Sequence, residues 1–373
     1  GGQSDLQNLS DARDTQTMRR LLKENAHTLD VLDAGTTMRF LTAYLTATQQ
    51  DRILTGTARM CQRPIHVLVE ALKELGASIN YLKEEGYPPI HIKGFPKQQT
   101  QNLSIRGDIS SQYISALMMI APCLENGLKL QLTGKIGSKP YIEMTRSLMK
   151  LFGVESHWDN QIISISPQSY QPTTYRIESD WSGASYWYSF VALAEDAEIK
   201  LLGLRKDSYQ GDIAIARIMQ QLGVESIFDK EGVLLRKKDS LNSTSIDFSD
   251  CPDLAQTVAV ICAANSIRCE MRGLESLRIK ETDRILALQN ELAKIGATLI
   301  ENEPGLWELI PAESFHLPED LKISTYEDHR MAMAFAPLAT KGDIIIEEPD
   351  VVNKSYPGFW EHMKLVGFST SLR

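Results

Sequence analysis

An amphipathic helix pattern that ends in glycine recurs five times in this chain of 373 residues, and its spacing restricts the possible folds more than any other feature. The apolar positions follow the helical period, and a glycine suits the left-handed residue that ends a helix. The terminating glycines, separated by 77, 70, 73 and 71 residues, are Gly76, Gly153, Gly223, Gly296 and Gly367. A short β-rich stretch follows each of the first four copies, which predicts that each helix leads into strands of a sheet.

A second helix pattern recurs with the same period, and its helices are apolar almost all round. Such helices must be buried. Each copy is preceded by an acidic residue with small or polar neighbours: Asp33, Asp108, Asp180, Asp250 and Asp328. The two helix types alternate, so each unit of a little over 70 residues reads as βαβαββ. The sequence therefore predicts an α/β protein built from repeats.

The first repeat is shorter than the others. Residues 18–25, MRRLLKEN, predict the first amphipathic helix, yet Gly76 follows it by only about 50 residues. A full unit would need some 20 to 25 residues more. We therefore expect the first unit to be incomplete.

Charge and cysteine content exclude several classes of protein. The net charge of −9 argues against a nucleic-acid binder, which usually carries a basic surface. Five cysteines without a C-x-x-C pair argue against a disulfide framework and against structural zinc. Because the chain has neither a long apolar run nor a signal-like start, we expect a cytoplasmic protein without a membrane span.

Basic side chains gather where the helices are predicted to begin. Free N–H groups and the helix dipole make such positions favourable for anions. Prolines that mark helix starts accompany several of them, at Pro64, Pro140 and Pro357. In a stacked repeat these helix ends lie on one side, so two facing domains would form a cleft for a multiply charged anion.

Each of these residues also has a purely structural interpretation, and the sequence alone leaves it open. Arg39 fits a structural arginine paired with a carboxylate. The segment KETDR, residues 280–284, fits a solvated helix start capped by Thr282 with internal ion pairs. Asp253, Ser110 and Ser111 fit helix caps. His329 fits a histidine of the core, and Cys61 fits a thiol without a function.

Seven segments resemble, in order, the blocks of the 5-enolpyruvylshikimate-3-phosphate synthase family. They are DAGTTMRFL, LTGTARMCQRPIHVLVEAL, LGASINYLKEEGYPPIHIKG, RGDISSQYISALMMIAP, GSKPYIEMT, SLRIKETDRI and YEDHRMAMAFA. The resemblance runs from about Leu6 to Phe368. It implies a two-domain inside-out α/β barrel of βαβαββ repeats, the enolpyruvyl transferase fold. The expected domains are residues 1–178 and 179–373, with the active site in the cleft between them.

The resemblance also implies an activity. Members of this family transfer the enolpyruvyl group of phosphoenolpyruvate to the 5-hydroxyl of shikimate 3-phosphate and release phosphate. They use no metal and no organic cofactor, and we expect a monomer whose partners are these two small anions. This reaction belongs to the shikimate pathway of aromatic amino acid synthesis.

By motif, the resemblance assigns roles to individual residues. Asp253 and Glu281 would be the acid/base carboxylates, assisted by His329. Phosphoenolpyruvate would be bound by Gly35, Arg63, Arg284, Arg330 and Lys354. Shikimate 3-phosphate would be bound by Ser110, Ser111, Gln112, Ser138, Tyr141, Asp253 and Lys280. Gly35 is the small residue associated with glyphosate sensitivity, so we expect glyphosate to compete with phosphoenolpyruvate.

The sequence departs from the family pattern at several points. The family's opening block P-G-S-K-S followed by N-R is absent, and a polypeptide without it is expected to turn over little or no substrate. Asp33 and Ser276 stand where many members have asparagine.

Two other functions remain open at this point. One is the related UDP-N-acetylglucosamine enolpyruvyl transferase, although the catalytic cysteine of that enzyme lies at a different offset from Cys61. The other is a non-catalytic anion-binding protein, which the absent opening block suggests.

Overall fold

One strand order is repeated through the computed structural model, which describes residues 3–108 and 110–371. The chain divides into two compact units, Gly1–Ile177 (unit 1) and Glu178–Arg373 (unit 2). This division lies one residue before the boundary that we placed from the sequence.

Unit 1 contains two four-stranded sheets with the same topology. In each sheet the first two strands are parallel, and the fourth strand lies antiparallel between the second and the third. The strands of the two sheets are Thr28–Asp30, Arg52–Thr55, Ser78–Tyr81 and Ile90–Gly94, then Asn102–Arg106, Leu128–Thr133, His157–Asp159 and Ile162–Ile165. The helices are Arg13–Leu21, Gly35–Ala47, His66–Leu75, Ser111–Ile120 and Lys139–Leu151. The chain order within residues 28–94 and 102–165 confirms the predicted βαβαββ unit.

A short parallel pair completes the sheets of unit 1. Strand Asp5–Gln7 pairs with strand Thr174–Arg176, so the first and last strands of this unit are neighbours. The side chain of Asn8 adds a hydrogen bond to the carbonyl oxygen of Ile177 at 2.8 Å.

Unit 2 repeats the same order. Its four-stranded sheet has the topology of the unit 1 sheets, and a three-stranded sheet and a parallel pair accompany it. The strands are Glu198–Leu202, Val224–Phe228 and Gly232–Lys237, then Ser243–Asp247, Arg268–Arg272, Thr298–Glu303 and Leu306–Ile310, then Lys322–Ile323 and Ile345–Ile346. The helices are Trp181–Leu193, Ala214–Gln221, Ala255–Ala264, Arg284–Ala293, His329–Phe335 and Phe359–Leu365.

The two predicted helix types are confirmed by burial. Every residue of helix Ala255–Ala264 is buried, and in helix Trp181–Leu193 every residue except Ser182 is buried. In helix His66–Leu75, by contrast, only Leu68, Val69, Ala71, Leu72 and Leu75 are buried. An all-apolar helix finds enough burial only in the interior of its unit, whereas a striped helix needs only one covered face.

The helix starts differ from the sequence predictions in several places. The first amphipathic helix covers Arg13–Leu21 and not residues 18–25. Pro64 and Pro357 each lie two residues before their helices, His66–Leu75 and Phe359–Leu365, whereas Pro140 is the second residue of helix Lys139–Leu151. Gly76 has a φ of 116° and ends that helix in the left-handed conformation, as predicted. In the ranges that the structure describes, every helix is too short or too polar to span a lipid bilayer.

Candidate active site

A network of charged side chains connects the starts of three helical segments in unit 2. These segments are the 3-10 helix Pro252–Leu254, the turn before helix Arg284–Ala293, and the first turn of helix His329–Phe335. The members of the network are Asp253, Lys280, Glu281, Arg284, Asp328 and Arg330. All but Asp328 were predicted as site residues.

The carboxylate of Asp253 lies among three cationic side chains. One oxygen accepts a hydrogen bond from Arg284 Nη1 at 3.0 Å and lies 3.4 Å from Lys280 Nζ. The other accepts a hydrogen bond from Arg330 Nη2 at 2.9 Å. Burial raises the pKa of Asp253, but the nearby charges of Arg330, Lys280 and Arg284 outweigh it and hold this pKa well below its usual range. The carboxylate therefore binds cations and is not used as a helix cap.

Arg284 is the most deeply buried cation of the network, since only 2% of its side chain is exposed. Its Nε donates a hydrogen bond to Asp328 at 2.6 Å, and its Nη2 donates to Glu281 at 2.8 Å. Burial lowers the pKa of Arg284, but the carboxylates of Asp328, Glu281 and Asp253 raise it above its ordinary value. A buried guanidinium with three carboxylate partners is held in one orientation.

The segment KETDR starts a helix, although its cap differs from the prediction. Asp283, and not Thr282, is the N-cap: its side chain accepts hydrogen bonds from the backbone N–H groups of Ile285 and Leu286, both at 3.1 Å. Aspartate accepts such bonds well because its short side chain reaches the free N–H groups of the first turn.

Arg330 and its neighbours supply the third part of the network. Asp328 caps helix His329–Phe335 through a 2.9 Å hydrogen bond from the backbone N–H of Arg330. The Nη1 of Arg330 lies 3.4 Å from the hydroxyl of Tyr186. The sequence analysis named Asp328 as the acidic residue before a buried helix but gave it no role in the site, and it missed Tyr186. Tyr186 lies in an apolar helix and gave no signal.

His329 is buried and uncharged at neutral pH. Only 5% of the residue is exposed, and burial lowers its pKa to about 4 although the nearby Asp328 raises it. Its Nδ1 has no hydrogen-bond partner among the residues that the structure describes. The imidazole is therefore a neutral group beside the charged network.

This burial makes the stability of the protein depend on pH. The pKa of His329 is below that of a histidine in the unfolded chain, so the unfolded state binds more protons between about pH 6.5 and 4. We therefore expect the free energy of unfolding to decrease as the pH is lowered from about 6.5 to 4, and His329 should account for about 3 kcal/mol of this decrease. Urea titrations at several pH values measure it. The variant His329→Gln should show a shallower pH dependence, and an unchanged slope would contradict the prediction.

In unit 1, two arginines lie at the start of helix Gly35–Ala47. A Cβ atom at Gly35 would lie 2.9 Å from the Nη1 of Arg39 and 2.9 Å from the Nη1 of Arg63. Arg39 Nη1 donates a hydrogen bond to the side-chain oxygen of Gln112 at 2.7 Å, and Gln112 Nε2 donates to Thr36 at 2.8 Å. In the described ranges Arg39 thus bonds to an amide and not to a carboxylate. The glycine lets two guanidinium groups approach a helix N-terminus, which favours an anion there.

The other predicted residues of unit 1 lie at the starts of two helices that pack together. Ser110 is at the N-cap position of helix Ser111–Ile120, and Ser138 is at that of helix Lys139–Leu151. Neither makes a capping hydrogen bond with its side chain in the part of the chain that the structure describes. Ser138 has a φ of 51°, an uncommon left-handed conformation for a residue other than glycine. Tyr141 lies in the first turn after it, and its backbone N–H donates to the carbonyl of Ser138 at 3.1 Å.

Two further candidates are Lys354 and Cys61. Lys354 is buried at the end of the 3-10 helix Pro349–Lys354, which packs against helix His329–Phe335 of the network. Cys61 is half-buried, and its Sγ donates to the carbonyl oxygen of Gly56 at 3.6 Å. A cavity of about 1950 Å³ in unit 2 is lined by residues between Leu317 and Ser371, and among the described residues that line it none was predicted as a site residue.

Comparison with known proteins gives one consistent result. The family profile described as EPSP synthase (3-phosphoshikimate 1-carboxyvinyltransferase) matches residues 2–363. A Bacteroides fragilis protein named 3-phosphoshikimate 1-carboxyvinyltransferase is 48% identical over 366 residues, which cover 97% of this chain and 88% of that protein. A Vibrio cholerae protein of the same name is 36% identical, over 88% of this chain and 76% of its own length.

Solved structures confirm the predicted fold class. An EPSP synthase from Acinetobacter baumannii matches with a TM-score of 0.75 and 20% identity, covering 99% of this chain and 92% of that one. The enolpyruvyl transferase NikO from Streptomyces tendae matches with a TM-score of 0.70 and 12% identity, covering 98% and 90%. At these identities the likeness shows the fold alone.

Proposed function

The chain belongs to the EPSP synthase family, and we propose on this basis that it transfers the enolpyruvyl group of phosphoenolpyruvate to the 5-hydroxyl of shikimate 3-phosphate. The products are 5-enolpyruvylshikimate 3-phosphate and phosphate. The observation that carries the proposal is the network of unit 2, in which two carboxylates, Asp253 and Glu281, lie among three cations. Anion binding and proton transfer both need such groups.

We assign to Asp253 the role of the general base, which accepts the proton of the attacking hydroxyl group. With its three cationic partners its pKa is well below the usual range, so the carboxylate is ionised and a weak base. The phosphate and carboxylate groups of the substrates compete for the same cations. When Lys280 and Arg330 turn to these anions, the pKa of Asp253 rises and it becomes a better proton acceptor.

We assign to Glu281 the role of the general acid, which donates a proton to the vinyl carbon of phosphoenolpyruvate. Its side chain is 18% exposed, so it can reach a ligand while its Oε2 is held by Arg284. Protonation of the vinyl carbon and attack by the hydroxyl give a tetrahedral intermediate. Loss of phosphate from this intermediate, with removal of one proton from the new methyl group by the carboxylate of Glu281, restores the double bond and gives the product. The neutral imidazole of His329 would assist proton movement next to this network.

The remaining roles follow the charge and position of the other residues. We assign the binding of phosphoenolpyruvate to Arg284, Arg330 and Lys354 of unit 2 and to Arg63 of unit 1, with Gly35 leaving room for the guanidinium groups. We assign the binding of shikimate 3-phosphate to Lys280 and Asp253 and to the helix starts of unit 1, at Ser110, Ser111, Gln112, Ser138 and Tyr141.

We also propose that the enzyme is cytoplasmic and monomeric. Light scattering of the purified protein measures its mass in solution and tests whether it is a monomer.

A phosphate-release assay tests the proposed reaction. The assay uses a protein that carries the family's opening block ahead of these 373 residues, because we expect little or no turnover without that block. It is incubated with phosphoenolpyruvate and shikimate 3-phosphate, and the enolpyruvyl product is identified by mass spectrometry. We expect phosphate release only when both substrates are present, and we expect glyphosate to compete with phosphoenolpyruvate. Turnover with UDP-N-acetylglucosamine in place of shikimate 3-phosphate would overturn the proposed acceptor. Calorimetric binding of shikimate 3-phosphate without phosphate release would instead indicate an anion-binding protein.

A further inference from the structure

Two histidines and one aspartate meet on the surface of unit 1. The Oδ1 of Asp51 lies 2.7 Å from the Nε2 of His91 and 3.2 Å from the Nε2 of His27. The three ligand atoms all lie within 4.8 Å of one another. None of the roles assigned above uses these residues.

The first sheet fixes the positions of these three residues. His27 and Asp51 directly precede the parallel strands Thr28–Asp30 and Arg52–Thr55, and His91 is the second residue of strand Ile90–Gly94. The backbone N–H of Ile53 donates to the carbonyl of His27 at 2.8 Å, and Ile53 is also the ladder partner of His91. One residue therefore ties both histidine-bearing segments to the strand that follows Asp51. His91 lies on a strand, and His27 and Asp51 are each held next to the first residue of a paired strand, so the sheet limits how far the three can move apart.

The distances suit a small divalent ion. Zinc binds imidazole nitrogen and carboxylate oxygen at about 2.0–2.2 Å, so neighbouring ligand atoms of a tetrahedral site lie roughly 3.3 Å apart. The separation of 3.2 Å between Asp51 and His27 already has this value. The separation of 2.7 Å between Asp51 and His91 needs only a small side-chain rotation to reach it.

The charge and exposure of the cluster also suit an ion that enters from solution. Asp51 contributes a carboxylate whose Oδ1 already faces both imidazoles. The side chains of His27 and Asp51 are 57% and 62% exposed, and that of His91 is 20% exposed. A bound ion would thus keep at least one coordination position for water.

We propose that His27, Asp51 and His91 form a zinc site on the first sheet of unit 1, separate from the proposed active site. The ion replaces the two imidazole–carboxylate hydrogen bonds with three metal–ligand bonds. Each neutral imidazole then binds through an unprotonated Nε2 and carries its single proton on Nδ1. Two imidazoles and one carboxylate are borderline ligands that favour zinc over magnesium or calcium, which prefer oxygen alone. Because the ligands come from three segments that are distant in sequence, the ion would cross-link the sheet and stabilise unit 1.

Zinc titration of the full-length protein tests the site. Competition with a chromogenic chelator gives the affinity, and Co²⁺ provides a visible absorption spectrum that reports the ligand geometry. We expect one equivalent of zinc to bind and to raise the melting temperature. The variants His27→Gln and His91→Gln should each weaken binding by about 100-fold or more, since even residues that only orient a ligand cost 10–100-fold.

The control is His66→Gln, which removes an exposed histidine of unit 1 outside the cluster and should bind zinc as the unchanged protein does. Circular dichroism of each variant establishes that the fold is kept. Binding that persists at full strength in both cluster variants would place the ion elsewhere and overturn the proposal. The same holds if the unchanged protein binds no zinc, since the cluster would then be a hydrogen-bonded triad only.

Discussion

Replacing Asp328 with asparagine is expected to lower the free energy of unfolding by about 3–5 kcal/mol, the cost of removing one partner of a buried ion pair. Asp328 is fully buried and accepts hydrogen bonds from Arg284 Nε at 2.6 Å and Nη2 at 3.3 Å. The asparagine keeps the shape and the N-cap but leaves the guanidinium of Arg284 with less compensating charge. Tryptophan fluorescence in urea measures this loss in unit 2, which holds Trp181, Trp187, Trp307 and Trp360.

An exposed ion pair of the same unit provides the control. The Nζ of Lys364 lies 2.8 Å from the Oε1 of Glu361, but their side chains are 46% and 71% exposed. Solvent screens such pairs, so Glu361→Gln should change the free energy of unfolding by less than about 1 kcal/mol. A similarly small effect of Asp328→Asn would show that the buried network does not stabilise the fold.

Replacing Glu281 with glutamine is expected to lower kcat by about 10²–10⁴-fold, the usual contribution of a positioned acid or base. The amide oxygen can still accept the hydrogen bond that Arg284 donates at 2.8 Å, but the amide cannot deliver a proton. The KM for phosphoenolpyruvate should change much less than kcat, because the cations remain in place. Steady-state kinetics of phosphate release separate the two constants.

Glu275→Gln is the matched control for this variant. Glu275 is an exposed glutamate in the 3-10 helix just before Lys280. Its replacement makes the same chemical change at a position six residues before Glu281. We expect its kcat to equal that of the unchanged protein. A kcat of Glu281→Gln within about threefold of this control would remove Glu281 from the proton-transfer step.

Much of the fold could be predicted from the sequence because the two helix types differ in how many faces are apolar. The helix Ala255–Ala264 is buried on every side, and the spacing of Gly76 and its counterparts identified the repeat. Strand order was beyond reach, since it depends on hydrogen bonds between segments such as Arg52–Thr55 and Ile90–Gly94 that share no sequence signal.

The candidate site could be predicted in part. The residues that form it carry charge next to helix starts, which periodicity alone can locate. Their partners could not be predicted, because an ion pair such as that of Arg284 with Asp328 joins positions 44 residues apart. Burial decided the other cases: His329 is neutral because of its surroundings, which no local pattern reveals.

The parallel pair of Asp5–Gln7 with Thr174–Arg176 has a consequence for how unit 1 assembles. Its two strands are separated by nearly the whole length of the unit, so the pairing has a far higher contact order than the sheets inside it. The loop-closure entropy of this contact is offset only after the intervening sheets have brought the ends near each other. We therefore expect this strand pair to form late in folding, after the two four-stranded sheets of unit 1.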